Sequence, residues 1–480
     1  MYDTPHLGHY RTYISFDYAR RFSPRPVFFA MGMTDVDDKI VKVAKGRGHD
    51  CLEGMKAVTT EFEGQFWEGM SRVGVQMPDR VLRVTEHMQD ILDSVSILIS
   101  KGSAYHVQGD GVYFDTKHMN ENRKVYGYGY GDYFNRGNSD GDATLFEWSN
   151  DDGSSNRNKR SRKDFALWKC ATDGETMAFD SPWGRGRPGW HIECSTFIRV
   201  IEANLSERFG TTVVVSMHGG GKDLKFPHHE NEAAQSLVME DGRDGWIQEW
   251  KHTGHLMVGD GVKMSKSDKT GVDIDSVEPD VFRWWCLAQS GRWDKDATWS
   301  ADRLKECLTM VSKVREFLGS ADSSLLRPPS SSRGWEIVED FERVRDEQVS
   351  KGGFHDSVKI FNQLYRVCRG YLSGEVDGLA AERGRREVKE YLIKAGFSSW
   401  IFGSEGGPDA SALSTARNDG VFEVLEEFRN DMRKMSLSSI KGGGGNLEAS
   451  KVLEACDRVR DDDRLKEIRK GAGGDKKVEF

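Results

Sequence analysis

Residues 2–18 read Tyr2-Asp3-Thr4-Pro5-His6-Leu7-Gly8-His9-Tyr10-Arg11-Thr12-Tyr13-Ile14-Ser15-Phe16-Asp17-Tyr18. A helix is predicted to begin near His9, because Tyr10, Tyr13, Ile14 and Tyr18 fall on one stripe. Two imidazoles with a small residue between them, at a helix N-terminus, let a phosphate approach both rings and the free backbone N–H groups. As four residues alone, His-x-Gly-His is a weak match. Moving outward, β-rich runs at Arg25 to Met33 and Thr211 to Met217 alternate with helical ones. One such helix is expected from a Thr85 cap through Met88, Ile91, Leu92, Val95 and Leu98 to Gly102. Strand alternating with helix predicts an α/β fold with a parallel sheet.

Beyond about residue 300 the period changes to a purely helical one. Leu304, Cys307, Leu308, Val311, Val314 and Leu318 form one face, and Val358, Phe361, Leu364, Cys368 and Leu372 a second. Val421, Val424, Leu425, Phe428, Met432 and Met435 form a third, so a helical bundle is expected. Polar or Gly-rich breaks fall at 137–143, 150–163, 328–332, 403–419 and 442–445.

The 480 residues suggest two to four domains, at roughly 150 residues each. An apolar share of 37%, with 24 Phe, 13 Trp and 13 Tyr, can fill real cores and excludes wholesale disorder. No run of eighteen apolar residues offers a membrane span. The opening residues show neither a signal peptide nor an amphipathic presequence. Seven cysteines, an odd number without a Cys-x-x-Cys pair, point to a reducing compartment rather than a disulfide framework. A net charge of −9 argues against coating nucleic acid through bulk charge, but leaves room for local basic surfaces that grip a folded RNA. The densest basic run is Arg157, Lys159, Arg160, Arg162 and Lys163, and Lys466, Arg469, Lys470, Lys476 and Lys477 form a basic tail.

Histidines cluster: His6 and His9 at one end, and six of the remaining eleven between His191 and His255. Lys263-Met264-Ser265-Lys266-Ser267 follows Gly259-Asp260-Gly261 and suits a loop that neutralises polyphosphate, although an exposed basic loop reads the same way. Cys194, His228 and Glu232 offer sulfur, nitrogen and oxygen donors suited to zinc, with His228 and Glu232 four apart on one helix face. The plainer alternative is a buried small cysteine beside a polar loop cluster.

Taken together, these segments resemble the class I aminoacyl-tRNA synthetases, and among them the cysteinyl-tRNA synthetases. The resemblance is carried by Tyr2-Asp3…His6-Leu7-Gly8-His9, Met33-Thr34-Asp35-Val36-Asp37-Asp38-Lys39-Ile40 and Asp164 to Lys169. It continues through Ser181 to Cys194, His218 to Glu232, and Lys263 to Ser267, in family order. The wording of Met31 to Val36 and of Pro279 to Arg283 looks closest to the organellar or bacterial-type branch. The resemblance implies a Rossmann-type catalytic domain over 1–300, with a connective insertion at about 105–165 and a lysine loop at 259–270. An α-helical tRNA- and anticodon-binding domain over 301–437, then a linker and basic tail over 438–480, would follow. The implied reaction joins L-cysteine to ATP as cysteinyl-adenylate and transfers it to the 3′ end of cysteine tRNA. By resemblance, His6, His9, Lys263 and Lys266 are catalytic, and His6, Gly8, His9, Gly220, Asp223 and Lys266 bind ATP with Mg²⁺. Thr34 and Trp190 line the amino acid pocket, and Cys194, His228 and Glu232 hold one zinc ion per chain. Zinc would select the thiol, since sulfur for oxygen is too small a change for shape to separate cysteine from serine. Cytoplasm or an organelle such as the mitochondrial matrix is the implied compartment, with no membrane partner.

Two departures stand out. The family carries a Cys-Gly-x-Thr segment upstream of Tyr2-Asp3, which forms the first strand and supplies another zinc-ligand cysteine, so the chain is expected to be N-terminally incomplete. Asp268-Lys269-Thr270 stands where the family has a Leu-Gly-Asn run, which predicts altered loop closure. Three rivals share some motifs: a ligase joining cysteine to an amino-sugar, a non-catalytic RNA-binding or regulatory paralogue, and a plain zinc hydrolase. The C-terminal helices argue against the first, and the intact His6, His9, Lys263 and Lys266 argue against the other two.

Overall fold

Aromatic and aliphatic residues at helical spacing make the first element a helix, α1 (Leu7–Arg21), which buries Leu7, Tyr10, Ile14 and Tyr18. The computed structural model describes residues 3–134, 158–242, 246–258, 261–264, 272, 274–320 and 330–397. Strand β1 (Ala30–Met33) follows, then α2 (Asp38–Gly46), α3 (Leu52–Arg72), β2 (Arg80–Arg83) and α4 (Met88–Ser100). Next come β3 (Ala104–Val107), β4 (Gly111–Phe114), α5 (Thr116–Glu121), α6 (Arg123–Tyr126), β5 (Phe165–Cys170), β6 (Gly186–Pro188) and α7 (Trp190–Phe209). Then follow β7 (Met217–Gly221), α8 (Glu230–Met239), β8 (Glu249–Thr253), β9 (Leu256–Val258), β10 (Val262–Lys263), α9 (Pro279–Trp284) and β11 (Ala297–Trp299). Four helices close the described chain: α10 (Ala301–Gly319), α11 (Ser332–Val349), α12 (Ser357–Leu372) and α13 (Gly378–Lys394).

Parallel pairing, expected from the α/β alternation, occurs in three ladders: β1 with β2, β7 with β8, and β11 with β9. Strands β3 to β6 form a separate four-stranded antiparallel sheet that spans the expected insertion and extends to Pro188. The expected strand at Thr211 to Met217 is displaced to Met217–Gly221. Its glycines are required by close approach, since a Cβ at Gly219 would collide with the Phe16 ring and the Lys251 carbonyl. Thr85 does not cap α4. Its N–H and hydroxyl both donate to Asp35, and a short turn, Val84–His87, leads into the helix.

Residues 1–200 and 215–402 form one compact unit. A second comprises 201–214 and 403–480; in its described part Val213 donates its N–H to the Ser206 hydroxyl at 2.8 Å. In the first unit one apolar cluster runs from α1 through Phe66, Phe282, Trp284 and Trp285 to Val311, Phe341, Phe361 and Leu392, crossing residue 300 without a break. The expected faces of α10 and α12 are buried at Cys307, Val311, Val314, Phe361, Leu364 and Cys368, whereas Leu308 and Leu372 are exposed. The third expected face, at 421–435, lies outside the described residues.

One buried guanidinium fixes α1 in this core. Arg283 donates to Asp17 of α1, to the Val73 carbonyl at 2.7 Å and to the Ala395 carbonyl at 2.7 Å. Burial alone would raise the Asp17 carboxyl, but Arg283 and Arg21 hold it below the ordinary aspartate value. Removing one partner of such a pair strands the other, so Arg283→Met is expected to cost about 3–5 kcal/mol of stability at neutral pH, read by urea denaturation. Because the folded Asp17 value is lowered, that stability is present above the unfolded value of about 3.9 and is lost as pH falls through the folded one. The gap between wild type and variant should therefore be flat near neutrality and shrink only in acid. A neutral-pH loss below about 1 kcal/mol would show that Arg21 and the Gln76 amide satisfy Asp17 unaided.

Candidate active site

The site is built around β7, with one end at α1 and the other at the starts of α7 and α8. At the α1 end, the His6 Nδ1 accepts the Gly8 N–H at 3.1 Å, and the His9 Nδ1 accepts the His6 N–H at 3.1 Å. An Nδ1 that accepts carries no proton, so both rings are neutral and carry it on Nε2. The His-x-Gly-His spacing is thus a reciprocal helix cap that sets two tautomers at once. The rings lie 3.9 Å apart, and a Cβ at Gly8 would come within 2.8 Å of the His6 ring.

Helix α1 meets the elements that carry Lys263 and Asp223 through β9. Leu7 donates its N–H to the Val272 carbonyl at 3.1 Å, and a Cβ at Gly8 would face Leu256 at 3.7 Å. On the other side of β9, β10 pairs Lys263 with Met257. The Lys263 ammonium reaches Asp223 at 3.1 Å. Asp223 is held well below the ordinary aspartate value: burial opposes this, but His255 and Lys263 outweigh it. Gly220 belongs to β7, and its carbonyl is 3.4 Å from the Thr253 hydroxyl, which is 2.8 Å from the Thr12 hydroxyl of α1. Lys266 and the Asp268-Lys269-Thr270 departure lie outside the described residues, as does Arg157 of the basic run.

At the other end, Cys194 sits in the first turns of α7, His228 in the turn before α8, and Glu232 in α8 itself. Their donor atoms lie within 4.8 Å of one another. The Cys194 sulfur is 3.4 Å from the His228 Nε2, which is 3.0 Å from a Glu232 oxygen. Burial pushes the Cys194 thiol well above its ordinary value, with Glu232 and Glu193 adding to the effect. Burial would also raise Glu232, yet His218 and His228 hold it well below the ordinary glutamate value. Glu232 is completely buried, and neither of its oxygens takes part in a well-formed hydrogen bond. A buried carboxylate whose oxygens face imidazole nitrogens at 3.0 and 3.1 Å, beside a thiol sulfur, fits a cation shared among them.

Trp190 stacks on the His228 ring at 4.0 Å. The Thr34 hydroxyl donates to Glu193 at 2.6 Å, which ties the end of β1 to the residue before Cys194. Glu193 is itself raised well above its ordinary value by burial.

Several surrounding residues were not singled out from the sequence. His191 Nδ1 lies 2.9 Å from the His228 Nδ1, so it orients the ring whose Nε2 faces Cys194 and Glu232. His218 on β7 reaches the second Glu232 oxygen at 3.1 Å, and with His229 and Glu232 forms another donor trio. His229 pairs with His252 at 2.7 Å, and burial lowers these two imidazoles to about 2 and about 4. Glu230 accepts the N–H groups of Gly131 and Tyr133 at 2.8 and 3.2 Å, holding the Tyr/Gly segment against α8. The clustering of histidines was the available signal for this group, but it does not say which ring faces which.

Parallel ladders with a doubly capped histidine helix at one end of the sheet have the fold of the class I tRNA synthetases. The Mycobacterium tuberculosis methionyl-tRNA synthetase bound by methionyl-adenylate is similar in fold, with a TM-score of 0.55 over 82% of this chain and 89% of that one, at 14% identity. Within that class, the family model described as tRNA synthetases class I (C) catalytic domain matches residues 1–308, and the chain belongs to that family. The cytoplasmic cysteine–tRNA ligase of Dictyostelium discoideum is 31% identical over 497 residues, covering 96% of this chain and 69% of that protein. The cysteine–tRNA ligase of Thermococcus gammatolerans is 37% identical over 465 residues, covering 91% and 90%. No helix among the described residues is long and apolar enough to cross a membrane.

Proposed function

We propose that this chain is a cysteine–tRNA ligase. It would activate L-cysteine with ATP as cysteinyl-adenylate, release pyrophosphate, and pass the aminoacyl group to the 3′ end of cysteine tRNA. The observation that carries this reading is the pairing, along β7, of a soft donor set with a phosphate-facing helix start. Cys194, His228 and Glu232 are the residues that would hold one zinc ion. When bound, zinc supplies a soft Lewis acid that takes a thiolate in preference to a hydroxyl and lowers the thiol pKa.

The remaining roles belong to the chain's own side chains. Trp190 and His191 orient His228, and Thr34, anchored on Glu193, borders the amino acid pocket. With the cysteine carboxylate facing the α-phosphorus, the Nε2–H donors of His6 and His9 meet the charge that develops on the phosphates. Lys263 and Lys266, with Mg²⁺, neutralise the departing pyrophosphate. Gly220 and Asp223 border the nucleotide. The catalytic domain is assigned to 1–300, the tRNA-facing helices to 301–437 and a basic tail to 438–480. The proposed compartment is the cytoplasm or an organelle matrix, in keeping with cysteines that are all unpaired among the described residues.

The test is ATP–pyrophosphate exchange followed by charging of cysteine tRNA. Exchange is expected with cysteine and not with serine, and label should pass to the tRNA. ATP binding without cysteine-dependent exchange would make the chain a non-catalytic paralogue. Exchange with transfer to an amino-sugar, and none to tRNA, would make it a small-molecule ligase.

A further inference from the structure

The turn between α11 and α12, Gly352-Gly353-Phe354-His355, reaches back onto α1. Gly353 lies so close to the Ala19 carbonyl that a Cβ there would collide with it. Phe354, half-buried, meets three elements at once. Its ring packs edge-on against Phe16 of α1 at 5.4 Å and at a tilt against Trp293 at 4.5 Å, and the Lys251 ammonium of β8 lies 5.7 Å over it. His355 is buried beside it. Its Nδ1 donates to the Gly352 carbonyl at 2.9 Å, because a carbonyl only accepts. The Nε2 is therefore an acceptor, and it takes the Tyr18 hydroxyl of α1 at 2.7 Å. The Tyr391 hydroxyl of α13 then donates to Tyr18.

Each of these contacts leads to the ATP end. The Phe16 ring is the one that packs on Gly219 of β7, directly before Gly220. The Trp293 carbonyl accepts the Gly254 N–H at 3.0 Å, and the next residues of that loop hold Arg11 of α1, with the Lys295 carbonyl at 2.9 Å. Phe16 thus meets the Phe354 ring directly, Arg11 is held by the loop whose Trp293 packs on that ring, and Tyr18 is held by the neighbouring His355. We propose that Phe354 is a positioning residue for adenylate formation: it seats α1 and thereby sets where the two N-terminal imidazoles stand. This deepens the ligase reading above and rests on it.

The test uses the full chain with Phe354→Ala, Phe354→Tyr and, as a size-matched core deletion away from this turn, Phe317→Ala. Kinetics are normalised to active sites by titration, and amide hydrogen exchange is followed over α1. Phe354→Ala is expected to raise the ATP KM about tenfold, because the Phe16 ring it holds packs on β7 beside Gly220, which borders the nucleotide, and to speed exchange in the first turns of α1; displacement of the two imidazoles should add a fall in kcat. The cysteine KM should not move, because α7 and α8 carry that end. Phe354→Tyr should restore both readouts to near wild type, and Phe317→Ala should lower thermal stability while leaving the ATP KM alone. A Phe354→Ala chain with wild-type α1 protection and wild-type ATP KM overturns the proposal. Absence of any cysteine-dependent exchange in the wild type overturns the ligase reading instead, and the α1 protection still decides whether Phe354 seats the helix.

Discussion

Glu232→Gln is expected to release zinc and, with it, cysteine activation. The substitution keeps the volume of a fully buried side chain, so packing in α8 should survive. What it removes is an anionic donor at the point where His218, His228 and Cys194 converge. In the wild-type chain the two imidazoles hold that carboxyl ionised against its burial, so the negative charge is present at neutral pH. An amide offers a weaker oxygen and adds an N–H group that the neighbouring imidazole nitrogens must accommodate. A loss in zinc affinity of at least about 100-fold is expected, larger than or equal to what removal of an outer-shell partner costs. The measurement is zinc per chain by plasma mass spectrometry after dialysis against graded chelator, with circular dichroism to confirm folding. A Gln variant that is folded and retains zinc as the wild type does would show that Glu232 merely orders the histidines. Cys194→Ser, read in the same way, then locates the metal or removes it from the argument.

Legibility of this chain from its sequence followed the range of the forces involved. Helix α1 was readable because its stripe of Tyr10, Ile14 and Tyr18 is a local pattern. The faces of α10 and α12 were readable for the same reason. Strand β7 was misplaced because Met217 to Gly221 has no β-propensity of its own. It exists because it pairs with β8 along its length, and at Gly219 the Phe16 ring and the Lys251 carbonyl leave no room for a side chain. Thr85 looked like a cap, but Asp35, fifty residues away, takes both of its donors. Helix α13 was not singled out because part of its buried face is Ala380, Ala381 and Gly384, small residues that allow close packing but make a faint stripe. Cys194, His228 and Glu232 were legible as a donor set, and their donor atoms do come together in the fold. Of the imidazoles that orient them, His191 shares α7 with Cys194 and His218 belongs to β7, and no spacing rule says that the first meets His228 and the second Glu232. Arg283 was invisible as an anchor, since its partners Asp17, Val73 and Ala395 come from three distant parts of the chain.

His9→Asn separates the two things that the first histidine motif does. In the wild type the His9 Nδ1 closes the cap by accepting the His6 N–H, and the ring's other nitrogen carries the proton. An asparagine at this position keeps an acceptor oxygen at the reach of Nδ1 and has no group that extends to Nε2. The helix start should therefore persist, and far-ultraviolet dichroism and thermal stability should change little. In the proposed reaction, the lost group is a donor aimed at charge that grows only as the carboxylate attacks the α-phosphorus. The rate of cysteine-dependent pyrophosphate exchange is accordingly expected to fall by about 10²–10³, as for the loss of a preorganised donor. The ATP KM should stay within a few-fold of wild type, because an interaction made in the transition state alone appears in kcat. His6→Asn should behave likewise, since its Nδ1 is committed to the Gly8 N–H in the same way. A His9→Asn enzyme with an unchanged kcat would confine this residue to capping α1, and the work of charge neutralisation would pass to the lysine loop.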